Sequence, residues 1–295
     1  MIHALPAVIN INIDPVVHIG GLSIHWYGVG YAVAFWAAWK FGASPELRRH
    51  GMSQPAIDRL TTWCIVVGLI GARLYYDVQN TDRIHSAVDV IAVWNGGMAF
   101  FGAIISVFAL LAVFAWRDRV SYWLLVDACA LFAVVGQPIG RIGNIINGDI
   151  LGDPSSLPWA TSYSNPNAVL QSGFSYCNPP APCVAYQPAG AYEMLATILI
   201  GVILFAMRHR VRMGVMAISY VALYSISQII VFFWRASEPT VLWHLKQAQV
   251  TAIVILAVVV PMLIVLRRRF PPSAAAVTGT DGTAVAGVVT REAPA

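Results

Sequence analysis

Charged residues are scarce in this sequence. Asp, Glu, Lys and Arg make up 11% of its 295 residues, whereas about a quarter of the residues in an average soluble domain are charged. Hydrophobic residues make up 58% of the chain, and the mean hydropathy is +0.68. This balance excludes an ordinary soluble domain and indicates a membrane protein.

Three further features are missing. The 18 basic residues are spread among apolar segments, so they form no continuous basic surface, and we expect no nucleic-acid partner. Residues 1–14 lack the positively charged start and small-residue cleavage site of a secretory signal, so we expect the first hydrophobic run to be retained. No internal repeat suggests the paired halves of a transporter.

Seven apolar runs are long enough, or nearly so, to cross ~30 Å of hydrocarbon. Their uniform hydrophobicity favours helices over the alternating strands of a membrane barrel. We therefore predict an all-α polytopic membrane protein with about seven transmembrane helices. The predicted spans are residues 24–43, 60–78, 98–116, 123–139, 189–207, 213–234 and 250–266.

Basic residues concentrate in alternate connections between these spans, as in Arg117 and Arg119, Arg208 to Arg212, and Arg267 to Arg269. Because such loops stay cytoplasmic, the N-terminus should face outward and the C-terminus inward. We predict one transmembrane catalytic domain, residues 1–270, including an outward-facing loop at 151–188. Residues 271–295 lack hydrophobic periodicity and should form a disordered cytoplasmic tail.

The four cysteines fall into two kinds. Cys64 and Cys129 lie within apolar segments, where we expect packed, inert thiols. Cys177 and Cys183 lie in the Pro-rich sequence CNPPAPC of the outward loop. There the residues leave a disulfide and two free thiols equally open.

Ionisable residues inside spans are candidate functional residues, because burying charge in a bilayer is costly. Arg73, Arg141 and Arg235 all fall in the outward half. The alternative is that they reach the membrane interface or pair with acids such as Asp77 and Glu238. That alternative is favoured for Arg73, since Asp77 lies one helical turn away. The acid Asp127, inside the fourth span, is expected to bond to a neighbouring helix.

The segment GRIGNIINGDILG is different. If it is helical, Arg141, Asn144 and Gly148 share one face. A guanidinium binds phosphate oxygens through a planar fork and keeps its charge, so Arg141 and Arg235 facing one cavity would neutralise a lipid phosphodiester. The segment NGGMAFFG, residues 95–102, offers a second glycine-rich approach, although close helix packing explains it equally well.

These blocks resemble the prolipoprotein diacylglyceryl transferases. The segment GRIGNIINGDILG, residues 140–152, looks like that family's signature. The blocks HWYG (25–28), GARL (71–74), WNGGMAF (94–100) and YE (192–193) resemble its other motifs in the same order. The resemblance extends over roughly residues 14–266.

The resemblance implies an enzyme of the bacterial cytoplasmic (inner) membrane with its active site toward the outer face. Such an enzyme transfers the sn-1,2-diacylglyceryl group of phosphatidylglycerol to the lipobox cysteine of prolipoproteins. A thioether forms and glycerol phosphate is released. No metal or organic cofactor is implied. The expected partners are phosphatidylglycerol, the prolipoprotein signal peptide and the surrounding membrane lipids.

The resemblance also suggests roles for individual residues. Arg141 and Arg235 would stabilise the leaving phosphate. Asp149 and Glu193 are the candidate general bases, with an ion pair or hydrogen bond as the equally open alternative. The predicted substrate-binding residues are Tyr27, Arg73, Gly97, Asn144, Asn147 and Gly152.

The chain departs from the family pattern on the proton-transfer side. Phe101 stands where the family usually has His, Asp149 replaces a usual Glu, Gln187 replaces a usual His, and Phe232 replaces a common Glu. Two other functions stay open: an anionic-phospholipid transporter or scramblase, and a lipid-binding paralogue with impaired catalysis.

Overall fold

The computed structural model describes residues 8–20, 22–84, 86–92, 96–171, 173–177, 183–236 and 240–269. Within these ranges the chain is mainly helical. The α-helices are α1 (Trp26–Ala37), α2 (Ser44–Arg49), α3 (Gln54–Gln79), α4 (Ala87–Ile91), α5 (Phe100–Arg117), α6 (Tyr122–Asn147), α7 (Ala189–Met207), α8 (Val215–Val231) and α9 (Gln247–Arg269). A π-helical segment, Ala38–Ala43, joins α1 to α2, and a 3₁₀ turn covers Thr81–Arg83.

Five of these helices are long and apolar enough to cross a membrane: α3, α5, α6, α7 and α9. The first predicted span instead corresponds to α1 and the π-helical segment, and the sixth to the shorter apolar helix Val215–Val231. The structure therefore confirms an all-helical, multi-pass membrane protein. Two of the seven predicted spans are shorter or less regular than expected.

Two predicted boundaries were wrong. The fourth span was expected to end at residue 139, but α6 continues to Asn147. Hydropathy falls at the polar GRIGN sequence, whereas the helical hydrogen bonds continue until Gly148, whose φ of 77° terminates the helix. The sixth span was expected to reach residue 234, but α8 ends at Val231 and leaves Arg235 beyond the helix.

Small residues bring the helices together. A Cβ atom at Gly42 would lie 2.5 Å from the carbonyl oxygen of Leu131 on α6. On the other side of the molecule, a Cβ atom at Gly102 would overlap the carbonyl oxygen of Gly71, where α5 crosses α3. Close packing thus accounts for Gly102, as the alternative interpretation of NGGMAFFG proposed.

Short strands accompany the helices. In the described residues, β1 (Ile9–Ile11) pairs in parallel with β4 (Thr161–Tyr163), and Ile9 lies opposite Thr161. Two antiparallel pairs are formed by β2 (Val16–Ile19) with β3 (Leu22–His25), and by β5 (Thr240–Leu242) with β6 (Leu245–Lys246). The β1–β4 pair ties the N-terminal segment to the loop at 151–188.

That loop packs on the C-terminal end of α6. The backbone N–H of Val169 donates to the carbonyl of Asn147 at 2.7 Å, and the Tyr163 hydroxyl donates to the carbonyl of Ile145 at 2.7 Å. Burial raises the pKa of Tyr163, so the hydroxyl stays protonated as a donor. Loop residues thereby satisfy carbonyls that a helix end leaves without intrahelical partners.

The cysteines behave in two ways. Cys177 and Cys183 form a disulfide within the loop, which settles the alternative that their sequence left open. Cys64 and Cys129 are free thiols that line an apolar cavity of about 190 Å³ between α3 and α6. The predicted tail, residues 271–295, lies outside the described residues.

Asp127 bonds to a neighbouring helix, as the sequence predicted. Its buried carboxylate accepts the backbone N–H groups of Gly214 at 2.6 Å and Ala217 at 2.7 Å. Those groups belong to the start of α8, where N–H groups lack intrahelical partners. Asp127 therefore caps α8 from a neighbouring helix and fixes the two helices against each other.

Candidate active site

Two arginines meet at one glutamate. Arg141 comes from α6, Glu193 from α7, and Arg235 from the segment after α8. Arg141 Nη2 forms an ion pair with Glu193 Oε2, and Arg235 Nη1 lies 3.2 Å from Glu193 Oε1. The glutamate side chain is 1% exposed, whereas those of Arg141 and Arg235 are 23% and 16% exposed. The carboxylate is thus closed off, while both arginine side chains are partly exposed.

Polar side chains at the end of α6 extend this arrangement. Arg141 Nη1 lies 3.4 Å from Asn144 Oδ1. Asn144 Nδ2 donates to Asp149 Oδ1 at 3.0 Å, and Asn147 Nδ2 donates to Asp149 Oδ2 at 3.2 Å. The left-handed conformation of Gly148 turns the chain, so that Asp149 lies against the last helical turn. These four side chains, Glu193 and Arg235 are called the Arg141 cluster below.

Tyr27 borders the Arg141 cluster from α1. Its phenol ring lies within interaction range of Asn144 and Asp149, and its hydroxyl lies 2.9 Å from that of Tyr31. A Cβ atom at Gly143 would lie 3.5 Å from Tyr27, an ordinary packing distance, so α1 and α6 are in contact here. The sequence-predicted residues Tyr27, Asn144, Asn147 and Asp149 therefore come together.

Backbone pairing holds Arg235 in place. Gly152 forms a bridge with Arg235, and the N–H of Asp153 donates to the carbonyl of Trp234 at 3.0 Å. The ammonium group of Lys246 donates to the carbonyl of Arg235. A Cβ atom at Gly152 would overlap the Trp234 carbonyl. The missing side chain of Gly152 therefore makes room for the segment that carries Arg235, while the predicted contact of Gly152 with substrate stays a prediction.

Phe232 supports the Arg235 guanidinium. The guanidinium carbon lies 4.9 Å from the centroid of the Phe232 ring, and Phe232 is 4% exposed. A cation over an aromatic face is attracted by the ring quadrupole. At the position where the resemblance led us to expect a Glu, this chain therefore has an aromatic ring in contact with Arg235.

Arg73 and Gly97 were predicted to bind substrate. In the structure, both make contacts away from the Arg141 cluster. Arg73 Nε lies 3.2 Å from Asp77 Oδ1, and Arg73 Nη1 donates to the carbonyls of Gly96 at 2.8 Å and Gly97 at 3.0 Å. Gly97 has a φ of 79°, and a Cβ atom there would lie 2.5 Å from the ring of Tyr76. Both residues thus hold the loop before α5, and Arg73 makes the ion pair with Asp77 that its alternative interpretation expected. Their contact with substrate stays a prediction.

Tyr224 was missed from the sequence. It projects from α8 and interacts with Arg141, Glu193 and Arg235. Its ring stacks on that of Tyr220, with centroids 5.7 Å apart. Two aromatic residues in an apolar run do not by themselves indicate a site. Their spacing of four, which places two hydroxyl groups on one helix face, was the signal that could have identified them.

Some predicted features do not enter the cluster. The Phe101 side chain is 67% exposed at the start of α5. Glu238, considered as a partner of Arg235, and the Trp94–Asn95 part of the glycine-rich block lie outside the described residues.

Comparison with known proteins identifies the family. The sequence profile of the prolipoprotein diacylglyceryl transferases matches residues 15–265. The chain belongs to this family. The phosphatidylglycerol–prolipoprotein diacylglyceryl transferase of Synechococcus elongatus is 32% identical over 252 residues, which cover 82% of this chain and 83% of that protein.

Two further relatives with the same name match shorter regions. The protein from Phenylobacterium zucineum is 31% identical over 66% of this chain and 68% of its own length. The protein from Mesorhizobium japonicum is 34% identical over 52% of this chain and 57% of its own length. The family profile, by contrast, takes in every residue of the Arg141 cluster.

Proposed function

We propose that this membrane protein transfers the diacylglyceryl group of phosphatidylglycerol to the lipobox cysteine of prolipoproteins. Membership of the transferase family and the names of its relatives support this activity. The observation that carries the proposal is the convergence of two partly exposed arginine side chains on one buried carboxylate.

The charges of this trio suit a phosphodiester. Arg141 and Arg235 carry two positive charges, and Glu193 carries one negative charge. The trio alone is therefore left with one positive charge, which matches the single negative charge of a phosphodiester. Planar guanidiniums can donate in parallel to phosphate oxygens. Tyr27 and Asn144 would bind other parts of the head group.

The reaction is a displacement at carbon. The cysteine sulfur attacks the carbon of the diacylglyceryl unit that is bonded to a phosphate oxygen. A carbon–sulfur bond forms, the carbon–oxygen bond breaks, and its electron pair leaves with the phosphate. Because negative charge grows on that oxygen, fixed donors from Arg141 and Arg235 stabilise the transition state more than the bound lipid. The products are a thioether and glycerol phosphate.

A base must take the proton of the thiol, because an ordinary cysteine has a pKa of about 8.5. We assign this role to Asp149. Its half-buried carboxylate lies beside Tyr27 and is oriented by two asparagine amides. Glu193 is instead closed off by two ion pairs, so we assign it the positioning of both arginines.

We place the Arg141 cluster at the outer face of the bacterial inner membrane, since basic residues accumulate in the loops at the opposite end. Catalysis is assigned to residues 1–270, and none to the tail at 271–295. Removing the tail should therefore leave the rate of transfer unchanged.

The direct test mixes the purified protein with phosphatidylglycerol and a peptide that bears a lipobox cysteine, and measures the peptide mass. We expect a diacylglyceryl mass shift that Arg141→Ala and Arg235→Ala abolish. Arg59→Ala is the matched control, because Arg59 is 55% exposed and pairs with Asp118 away from the cluster. Lipid movement across vesicles without a mass shift would support a transporter. Lipid binding with neither result would support an impaired paralogue.

A further inference from the structure

Polar side chains continue from the Arg141 cluster toward the other end of α6. Gln137 lies one turn before Arg141 on α6, and Tyr220 lies one turn before Tyr224 on α8. Residues four apart share one helix face, so each pair points in a common direction. The Tyr220 hydroxyl lies within hydrogen-bonding reach of Gln137 and within electrostatic reach of Arg141. The four side chains therefore line one continuous surface.

The side-chain amide of Gln137 lacks one hydrogen-bond partner among the described residues. Its Oε1 atom is buried and has no hydrogen-bond partner among the described residues, although buried polar atoms are normally paired. The residue as a whole, like Tyr220, is only half-buried. Because no described residue holds the Oε1 atom, the amide can rotate about its last side-chain bond and present either its oxygen or its NH₂ to a ligand.

The position of this pair fits one part of a phospholipid. Four residues of α-helix rise by ~6 Å, so Gln137 lies about one helical turn from Arg141 in the direction of the bilayer centre. In a diacyl phospholipid, the ester carbonyls follow the phosphate by one glycerol unit on the side of the acyl chains. A carbonyl oxygen accepts hydrogen bonds, and both an amide NH₂ and a phenol hydroxyl donate them.

We propose that Gln137 and Tyr220 together bind an ester carbonyl of the diacylglyceryl group. With the phosphate held by Arg141 and Arg235, this second contact positions the glycerol carbon that lies between them for attack by the thiol. The inference rests on the proposed transfer reaction. It adds a subsite that recognises the linkage of the acyl chains, although the reaction leaves that linkage unchanged.

Ether-linked phosphatidylglycerol provides the test, because it keeps the head group and the chains but lacks the carbonyls. We expect the wild-type protein to transfer from the diacyl lipid about tenfold faster than from a dialkyl lipid of equal chain length, as one or two hydrogen bonds allow. Gln137→Leu should slow transfer from the ester lipid about tenfold and leave transfer from the ether lipid near the wild-type rate. The Gln137→Leu protein would then show no preference for the ester lipid over the ether lipid.

Two further variants sharpen the result. Tyr220→Phe removes only the hydroxyl and should weaken the preference even if Gln137→Leu does not fold. Ser219→Ala is the control, since Ser219 is also buried with an unpartnered hydroxyl but points about 100° away around α8. It should keep the full ester preference.

Equal wild-type rates with both lipids would overturn this inference while leaving the transferase function intact. An ester preference that survives both Gln137→Leu and Tyr220→Phe would also overturn it. If the protein transferred the group from neither lipid, the proposed function itself would be contradicted. The two failures are therefore distinguishable in one experiment.

Discussion

The two ends of α6 both carry buried charge, but they use it differently. Toward one end lies Asp127, some 21 Å from Arg141 at 1.5 Å per residue. The buried Asp127 carboxylate accepts two backbone N–H groups from the start of α8. In the Arg141 cluster, the charged groups pair with other side chains, and the two arginine side chains are partly exposed.

This difference separates structural from functional charge in a membrane protein. A charge whose partners are backbone groups of another helix is committed to the fold. Charges that pair with each other at an accessible surface can exchange those partners for a ligand. Replacing residues of the Arg141 cluster should therefore reduce turnover more than stability, and replacing Asp127 should do the reverse.

Among substitutions that keep both arginines, the largest expected effect on turnover comes from Asp149→Asn. Loss of a general base typically lowers the rate by about 10²- to 10⁴-fold, and the amide keeps the size of the side chain, so the protein should remain folded. The measurement is kcat for transfer to a lipobox peptide. Asp153→Asn is the matched control, since Asp153 is exposed in the same segment. Near-wild-type turnover of the Asp149 variant would remove Asp149 as the base.

The largest expected effect on stability comes from Asp127→Ala, which leaves two N–H groups at the start of α8 without their acceptor. Hydrogen bonds to charged groups contribute about 1.5–3 kcal/mol each, so we expect a loss of about 3 kcal/mol and a lower Tm in detergent. Turnover per folded molecule should stay near wild type. If instead turnover fell while Tm was unchanged, the two ends of α6 would not differ as described.

An intermediate effect is expected for Gly152→Ala. The added Cβ atom would overlap the Trp234 carbonyl and displace the segment that carries Arg235. A misplacement of about 1 Å in an active site can lower the rate by up to roughly 10²-fold, so we expect a loss on the order of 10- to 100-fold. Gly28→Ala, where the added atom meets open space, is the control. A wild-type rate for Gly152→Ala would show that this contact does not position Arg235.

The smallest effect is expected for Phe232→Leu, which keeps an apolar side chain but removes the ring beneath Arg235. Desolvated cation–π contacts contribute on the order of 1–2 kcal/mol, so transfer should slow by about 5- to 30-fold. The rate should be compared at saturating lipid and at low lipid concentration, because a displaced Arg235 affects lipid binding as well as turnover. An unchanged rate under both conditions would show that the Phe232 ring does not help to hold Arg235.

The sequence predicted the helical fold because chains in lipid must satisfy their own backbone hydrogen bonds. It also predicted the residues of the Arg141 cluster, since arginines and acids within apolar runs are conspicuous. Contacts between distant segments were not predictable. The sequence gives no sign of the Trp234 carbonyl against Gly152. It predicts the Arg73–Asp77 pair, but not the bonds of Arg73 to the Gly96 and Gly97 carbonyls.

The ends of the helices and their packing account for the other differences between the sequence predictions and the structure. The polar GRIGN sequence lowers hydropathy without ending α6, because only the left-handed Gly148 does so. Tyr224 resembles an ordinary core residue until α8 is placed beside Arg141 and Glu193. Hydropathy therefore locates helices well, whereas their ends and their facing residues depend on packing.

The central claim is that guanidinium charge in the Arg141 cluster holds a lipid phosphate. The most direct test measures binding of phosphatidylglycerol and of diacylglycerol with the same chains to the purified protein in detergent. The wild-type protein should bind phosphatidylglycerol at least about tenfold more tightly, which corresponds to about 1.4 kcal/mol, and Arg141→Ala should remove most of that preference. An undiminished preference for phosphatidylglycerol in the Arg141→Ala protein would contradict the account.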